Sequence, residues 1–340
     1  MIDYASGLSA TYYASRVDAH TWADSGALSI SSGTISKKAD SVLAVSADLT
    51  IKEDINTDEW IRIYMIAEQG GAKERVPLFT GIVSSPTRAI DGNRETRKLE
   101  CYSVLKVAAD ILLPLGWFAP ARTKGGELIK LLLSDLPCPV TLDEGSPNTI
   151  SSYVAGDSDT KLSVAQEIAK AINWQIKVNG DGSVRICPKP LTIAGTFDNI
   201  ENDIIETSVS DDRDIFSVPN VLRVTLDGAA ATARDDDPDS VYSTVNRGRE
   251  VWAQEDAKLA AGESLGEYAV RRLKDMQNPS RKLGYTRRFQ PDVDINDLVS
   301  IIYPKQGLGD VFRVQSQNIT LGYGAKVKEE VINEQPTGIA

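Results

Sequence analysis

The sequence predicts a mainly β protein with an inserted α+β unit, and three observations carry that prediction. The first is a repeat: Asp54-Ile55-Asn56-Thr57-Asp58-Glu59-Trp60-Ile61-Arg62-Ile63-Tyr64 returns as Asp294-Ile295-Asn296-Asp297-Leu298-Val299-Ser300-Ile301-Ile302-Tyr303. Each copy is an acidic turn running into an apolar strand. Each is followed by a strand opening on Phe, Phe79-Thr80-Gly81-Ile82-Val83 in one case and Phe312-Arg313-Val314-Gln315-Ser316 in the other. The second observation is the alternation of short apolar runs with turn clusters over the first part of the chain, the spacing of sandwiches and barrels. The third is that a helical period replaces this alternation at Ser103. The copies lie too far apart for the ~20–50-residue period of a solenoid, so they mark two similar β-domains at opposite ends of one chain. Coincidence between two hairpins that both need Asp and Asn in their turns is the competing reading.

Residues 1–103 form the first β-domain. Ser41-Val42-Leu43-Ala44-Val45 and Leu49-Thr50-Ile51 read as strands, and Gly70-Gly71 and Asp91-Gly92-Asn93 as hairpin turns. Residues 104–190 form the inserted unit. Val104, Leu105, Val107, Ala108, Ile111 and Leu112 share one helix face, which Pro114 ends. A second helix covers 127–134, before Pro137. A third covers 160–172, with Leu162, Ala165, Ile168, Ala169 and Ile172 as its buried stripe. Trp174-Gln175-Ile176-Lys177-Val178 and Ser183-Val184-Arg185-Ile186 then pair across Asn179-Gly180-Asp181-Gly182, whose glycines suit a tight turn.

Residues 191–335 form the second β-domain. Asn220-Val221-Leu222-Arg223-Val224-Thr225-Leu226 is its clearest strand. Arg234-Asp235-Asp236-Asp237-Pro238-Asp239 reads as an exposed, mobile loop, because like charges repel and proline blocks pairing. One helix over 264–276 precedes the second copy of the repeat, and the tail 333–338 is expected to fray.

Composition bounds the function. A chain of 340 residues, 41% hydrophobic and 25% charged, is an ordinary globular protein of two or three domains. No apolar run approaches the ~18 residues of a membrane span. The N-terminus lacks the basic-then-apolar order of a signal peptide, which predicts synthesis and folding in a cytoplasm. Cys101, Cys138 and Cys187 are odd in number and widely spaced, which opposes a disulfide framework or a Cys-rich zinc site and leaves them as small buried hydrophobes. A net charge of -11 opposes direct nucleic-acid binding, which needs clustered Lys and Arg. It suits a surface past which DNA moves without sticking.

The residues assign no catalytic, cofactor or metal site. Gly262-Glu263-Ser264-Leu265-Gly266 matches the nucleophile-elbow pattern of serine hydrolases. No β-rich run precedes it, however, and the only histidine, His20, comes before the serine where that family places it after. Ser264 with Glu267 three residues on has instead the spacing of a helix capping box. A single histidine also leaves little for proton shuttling or metal ligation, and His20 beside Trp22 reads as structural. Asp292-Val293-Asp294-Ile295-Asn296-Asp297 fails as a calcium loop, because Asp297 stands where Gly is needed and Tyr303 where a bidentate Glu is needed. Carboxylates are plentiful enough for acid-pair glycoside hydrolysis, but nothing singles out a pair. No phosphate-binding Gly-rich loop is present.

With these residues in view, the chain resembles the central baseplate hub proteins of phage tails and related contractile injection systems. The resemblance rests on Leu78-Phe79-Thr80-Gly81-Ile82-Val83 with Cys101-Tyr102-Ser103-Val104-Leu105 in the first part. In the middle it rests on Asp159-Thr160-Lys161-Leu162-Ser163-Val164, Ala171-Ile172-Asn173-Trp174 and Gly180-Asp181-Gly182. Near the end it rests on Asp294-Ile295-Asn296-Asp297-Leu298-Val299, Phe312-Arg313-Val314 and Ile319-Thr320-Leu321-Gly322. It implies two tube-like β-barrel domains per chain and a homotrimer that adapts a six-fold tail tube to a three-fold spike. It also implies tail tube or distal tail proteins above, a spike protein below, and a channel that DNA crosses without specific binding. The expected location is the virion tail, after assembly in the bacterial host cytoplasm, with no stable membrane insertion. Family members that degrade peptidoglycan carry an extension; this chain ends shortly after its second barrel, which argues for a structural protein and against a lytic one. A β-rich carbohydrate-binding or adhesin module ranks second, and a tail-associated cell-wall hydrolase third.

Overall fold

A computed structural model describes residues 2–92, 94–149, 152–198, 206, 208–212, 216–226, 228–257, 264–277, 281–304, 307–322 and 325–333. The chain divides into two compact units, residues 1–209 with 284–331 and residues 210–283 with 332–340. The first is mainly β and carries an inserted α+β segment.

The first β-module comprises β1 (Ser9–Val17), β2 (Asp24–Leu28), β3 (Ile30–Lys38), β4 (Val45–Ile51), β5 (Trp60–Gln69), β6 (Ala72–Val83), β7 (Thr87–Asp91) and β8 (Arg94–Ser103). These strands hydrogen-bond antiparallel in the order β3-β4-β8-β6-β5-β1-β2, with β7 also on β8. Strand β4 buries Val45, Ala47, Leu49 and Ile51 and turns Ser46, Asp48 and Thr50 outward, the two-residue period of a half-buried strand. Strand β5 is buried on both faces from Trp60 to Met65. Ile61, Ile63 and Met65 enter the core. Arg62 and Tyr64, on the opposite face, are held by Asp24 at 3.1 Å and 2.7 Å. Ser41 to Ala44, expected as strand, form a turn instead: the Ala44 amide donates to the Ser41 carbonyl at 3.1 Å and Ala44 has φ 57°.

The inserted segment comprises α1 (Leu105–Asp110), β9 (Phe118–Ala119), α2 (Gly125–Leu132), β10 (Val140–Leu142), β11 (Tyr153–Val154), α3 (Lys161–Ala171), β12 (Trp174–Val178) and β13 (Val184–Pro188). Helix α1 stops at Asp110, short of the expected Leu112, because Ile111 is extended and bonds across to the start of α3, where the Lys161 amide donates to the Ile111 carbonyl at 2.9 Å. Thr160 and Ser163 cap α3 reciprocally.

The turn between β12 and β13 lies against the first β-module. Thr80 Oγ1 donates to the Gly180 carbonyl at 2.8 Å and Trp22 Nε1 to the Asp181 carbonyl at 3.0 Å. A Cβ on Gly180 would fall 1.9 Å from the Pro77 carbonyl oxygen. Gly182 has φ 83°, and a Cβ there would meet Trp22 at 2.7 Å. Close approach to the Pro77 backbone therefore demands glycine at 180, while positive φ together with the Trp22 contact demands it at 182.

After β14 (Ile193–Asp198) the chain enters the second unit, with β15 (Ser210–Asp212), β16 (Val221–Leu226), β17 (Ala229–Arg234), α4 (Thr244–Arg247), β18 (Trp252–Asp256) and α5 (Leu265–Met276). A sheet ordered β17-β16-β18 buries Leu222, Val224 and Ala233 against Tyr268, Ala269 and Leu273 of α5. The acidic run does not merely repel itself. Asp235 accepts from Ser240 Oγ at 2.6 Å and Gln277 Nε2 at 2.8 Å, and Asp236 accepts from Arg234 Nε at 2.8 Å and from Thr244. The Asp237 and Asp239 amides donate to the side chains of Asp235 and Asp237, the turn bonding for which Asp is suited. Of the tail, Asn333 bonds the Arg281 carbonyl at 2.9 Å and 334–338 lie outside the described residues.

The second β-module comprises β14 with β19 (Lys282–Arg288), β20 (Leu298–Tyr303), β21 (Leu308–Thr320) and β22 (Lys326–Ile332). Its order β14-β20-β21-β22-β19 matches β1-β5-β6-β8-β4 of the first, strand for strand. The repeated turn is also matched in its hydrogen bonds. The Asp58 amide donates to the Val83 carbonyl at 2.9 Å, and the Asn296 amide to the Val314 carbonyl at 2.8 Å; φ is 66° and 67° at these two residues. The Asn56 amide donates to the Glu59 side chain at 3.0 Å, as the Asp294 amide does to Asp297 at 2.8 Å. The true register thus pairs Asn56 with Asp294, two residues from the alignment that the Asp-Ile-Asn letters suggest, and Ile61 with Val299. Phe312 corresponds to Gly81 and not to Phe79. The Phe79 ring instead covers Gly81, where a Cβ would lie 2.4 Å from Phe79 Cζ, so two different residues fill one site.

Two outcomes follow from this packing. Ser264→Ala lowers thermal or denaturant stability by about 1 kcal/mol, the loss of an N-cap, since Ser264 Oγ accepts from the Glu267 amide and the Glu267 carboxylate returns to the Ser264 amide at 2.9 Å. Gly180→Ala costs roughly 1–3 kcal/mol by forcing the turn off β6; an unchanged denaturant midpoint would show that the turn is not anchored there.

Candidate functional site

A buried charge cluster lies where three segments of the first unit meet. Asp294, on the turn before β20, is 8% exposed. Lys37 of β3 reaches Asp294 Oδ1 at 2.9 Å, and Lys177 of β12 stands 3.8 Å from Asp294 Oδ2 and 3.9 Å from Asp297 Oδ2. The Ile295 amide adds a bond to Asp294 Oδ1 at 2.9 Å. Burial raises the proton affinity of Asp294, but Lys37 and Lys177 outweigh it and hold the carboxyl below its ordinary value. At Asp297 burial dominates and pushes the carboxyl up, against Lys177. One cluster thereby ties the first β-module, the inserted hairpin and the second β-module.

A second network fills the interior of the second β-module. The Arg287 and Glu329 side chains are fully buried, joined at 2.8 Å and 2.5 Å. The Tyr285 hydroxyl donates to Glu329 at 2.6 Å and Gln317 Nε2 also donates to Glu329, at 2.7 Å, while the Arg287 guanidinium lies 4.4 Å from the Phe197 ring centre. Burial, then the Glu329 charge, push the Tyr285 hydroxyl far above its ordinary range.

Of the residues weighed for chemistry, Asp294 and Asp297 of the rejected calcium loop lie in the first network. Ser264 caps α5. His20 is exposed, its amide donating to Asp18 at 3.0 Å. Cys101, Cys138 and Cys187 are buried and unbridged, and burial pushes the Cys138 thiol up to about 12. Among the described residues no group of three His, Cys, Asp or Glu is placed to hold a metal ion, and no helix is long and apolar enough to cross a membrane. Lys37, Lys177, Arg287 and Glu329 escaped the sequence reading. For three of them the signal was present: each interrupts an apolar two-residue period, as in Ile35 then Lys37, Tyr285 then Arg287, and Val327-Glu329-Val331.

No family description and no curated protein matches this sequence. Solved structures do match its fold over nearly its full length. The 43 kDa tail protein of prophage MuSo2 from Shewanella oneidensis superposes with a TM-score of 0.65 at 13% identity, over 95% of this chain and 98% of that one. The tail protein from Neisseria meningitidis MC58 gives 0.67 at 13% identity, over 95% and 97%. Prophage tail protein gp18 from Listeria monocytogenes EGD-e gives 0.53 at 11% identity, over 96% and 95%. The chain has the fold of phage tail proteins.

The charge cluster has a defined pH signature. A carboxyl whose folded-state value is lowered adds stability that is present above its unfolded value of ~3.9 and is lost as pH falls through the folded one; a raised carboxyl does the reverse. Asp294→Asn therefore costs about 3–5 kcal/mol at pH 7, where it strands the buried Lys37 ammonium, and the deficit shrinks below about pH 4. Asp297→Asn costs less at pH 7, because burial on folding works against its charge. Urea titrations of the two variants at pH 7 and pH 3.5 check this, and equal costs at pH 7 would overturn it.

Proposed function

We propose that this chain is a structural hub of a phage tail, assembling as a trimer that adapts a six-fold tail tube to a three-fold spike. The observation that carries the proposal is the duplication itself. Two modules of one strand order are fused into one sheet, because β21 pairs with β3 through Ser316–Thr320 and Lys38–Thr34. Three such chains present six modules, which meets a six-fold face with three-fold material, and closed rings of like subunits are the usual solution to such a mismatch. The likeness in fold to phage and prophage tail proteins supports the same reading.

Tail tube or distal tail proteins would occupy one face of the ring and a spike protein the other, in the virion tail. The net charge of -11 fits a wall past which DNA travels, since few uncompensated cations are left to retain phosphates. The role is architectural: the interior charges serve packing.

Sedimentation or native mass spectrometry should give about three times the 36.9 kDa chain mass. The trimer should not retain duplex DNA at physiological salt. A monomer that binds a sugar polymer would replace this reading with the carbohydrate-binding one, and tight DNA retention would remove the channel while leaving the hub.

A further inference from the structure

In the second unit one face of the sheet β17-β16-β18 is packed and the other is open. Helix α5 covers the packed face, where Ala253 lies against the apolar core and Glu255 accepts from the Tyr268 hydroxyl at 3.0 Å and Arg272 Nε at 2.9 Å. Alternate residues of each strand point the other way. In register across the three strands, Arg234, Val221 and Trp252 form one row of the open face, and Thr232, Arg223 and Gln254 form the next.

The first row is held in place. Trp252 is 57% exposed, yet its Nε1 donates to Glu250 at 2.9 Å. Glu250 also accepts from Arg234, Arg234 donates to Asp236 at 2.8 Å, and Asp236 accepts from Thr244. An indole fixed at its nitrogen leaves its ring surface to solvent and has little rotamer freedom to lose on binding. The second row is the reverse. Thr232, Arg223 and Gln254 are all exposed, and among the described residues none of the three has a side-chain hydrogen bond or ion pair. Three unused polar side chains therefore stand in line beside a fixed aromatic one.

We propose that this face binds an acidic polysaccharide. A sugar ring carries C–H groups on its flat sides and hydroxyls around its rim, so it needs an aromatic surface beneath it and donors and acceptors beside it. Trp252 supplies the surface. Thr232 and Gln254 each offer both a donor and an acceptor. Arg223 sets the charge of the ligand: Arg234 is occupied by Asp236 and Glu250, whereas Arg223 has no carboxylate within ion-pair distance. A free guanidinium takes a sugar carboxylate in a two-pronged, charge-assisted pair. The strip is flat and open, which suits a run of sugars where a deep pocket would suit a single small molecule. All of these residues belong to one unit of one chain, so the site stands or falls apart from the trimer.

Isothermal titration of the full chain with polygalacturonate, alginate and hyaluronate, and with dextran as the neutral polymer, tests the site. The acidic polymers should bind, and dextran should bind about tenfold or more weakly than they do. Arg223→Gln should weaken binding about tenfold or more, the worth of one charged hydrogen bond, and should leave the thermal midpoint unchanged because Arg223 has no partner to lose. Trp252→Ala should weaken it as well, and Trp252→Phe should recover part of the loss. Binding to none of the acidic polymers, or binding that Arg223→Gln and Trp252→Ala both leave intact, would overturn the proposal. A face that ignores all four polymers but becomes shielded from solvent when the tail assembles would overturn it too, and would belong to another tail protein. Mass measured on the same samples keeps the two proposals distinct: a trimer that binds retains the hub and adds the site, and a trimer that does not bind retains the hub alone.

Discussion

The pairing of β21 with β3 is the constraint on which the rest of the first unit depends. Without it the two β-modules are separate sheets joined by a long insertion; with it they share one continuous hydrogen-bonded surface. Backbone pairing alone tolerates slippage, since a shift by one residue along a strand turns every side chain to the other face. Lys37 removes that freedom. It lies on β3 among the seam residues, its side chain points inward, and its ammonium meets Asp294 at 2.9 Å. A slipped register would leave that ammonium buried without a counter-charge, a penalty of several kcal/mol, far above the worth of an exposed ion pair.

The interior Arg287–Glu329 pair poses the same question in a harsher setting. Apolar residues of similar volume there would be neutral or stabilising, because desolvating two charges offsets most of their attraction. What the pair supplies is direction. Glu329 accepts from Arg287, Tyr285 and Gln317, which come from two further strands, and Gln317 also donates to the Val293 carbonyl at 2.9 Å. Only one arrangement of β19, β21, β22 and the turn before β20 satisfies all of these donors. An apolar core would fill the space and accept several.

Much of this architecture is legible in the residues and some is not. The duplication showed because its turn needs the same chemistry twice: a residue able to adopt positive φ, met by Asp58 and Asn296, and a carboxylate to receive an amide, met by Glu59 and Asp297. The register lies two residues from the letter match because Asp and Asn are interchangeable at such turns, so identical letters are not identical positions. The β12–β13 turn was visible as a turn; its docking on β6 was not, because a glycine required for close approach looks the same in sequence as one required for φ. Helix α1 was overextended because Ile111 and Leu112 fit its apolar face, while the bond from Lys161 that draws Ile111 into an extended path comes from half a hundred residues away, roughly, along the chain. Charges at interior positions of strands were the readable clue to the seam, and the apolar period had to be trusted closely enough for its exceptions to count.

Duplication supplies equivalence, and the two modules also depart from it. The modules agree in strand order and in the hairpin hydrogen bonds, yet they differ where each meets its surroundings. Strand β1 runs antiparallel to β5, whereas β14 runs parallel to β20. The first module fills one core site with Phe79 lying over Gly81, the second with Phe312 itself. Ile319 and Leu321 are covered along the edge of β21, while Arg88 and Ile90 are open along β7. The differences lie at flanking strands and free edges, and the similarities in the shared strand order and hairpin turns. A common strand order keeps the two modules alike at their centres, and divergent flanks give each module surroundings of its own.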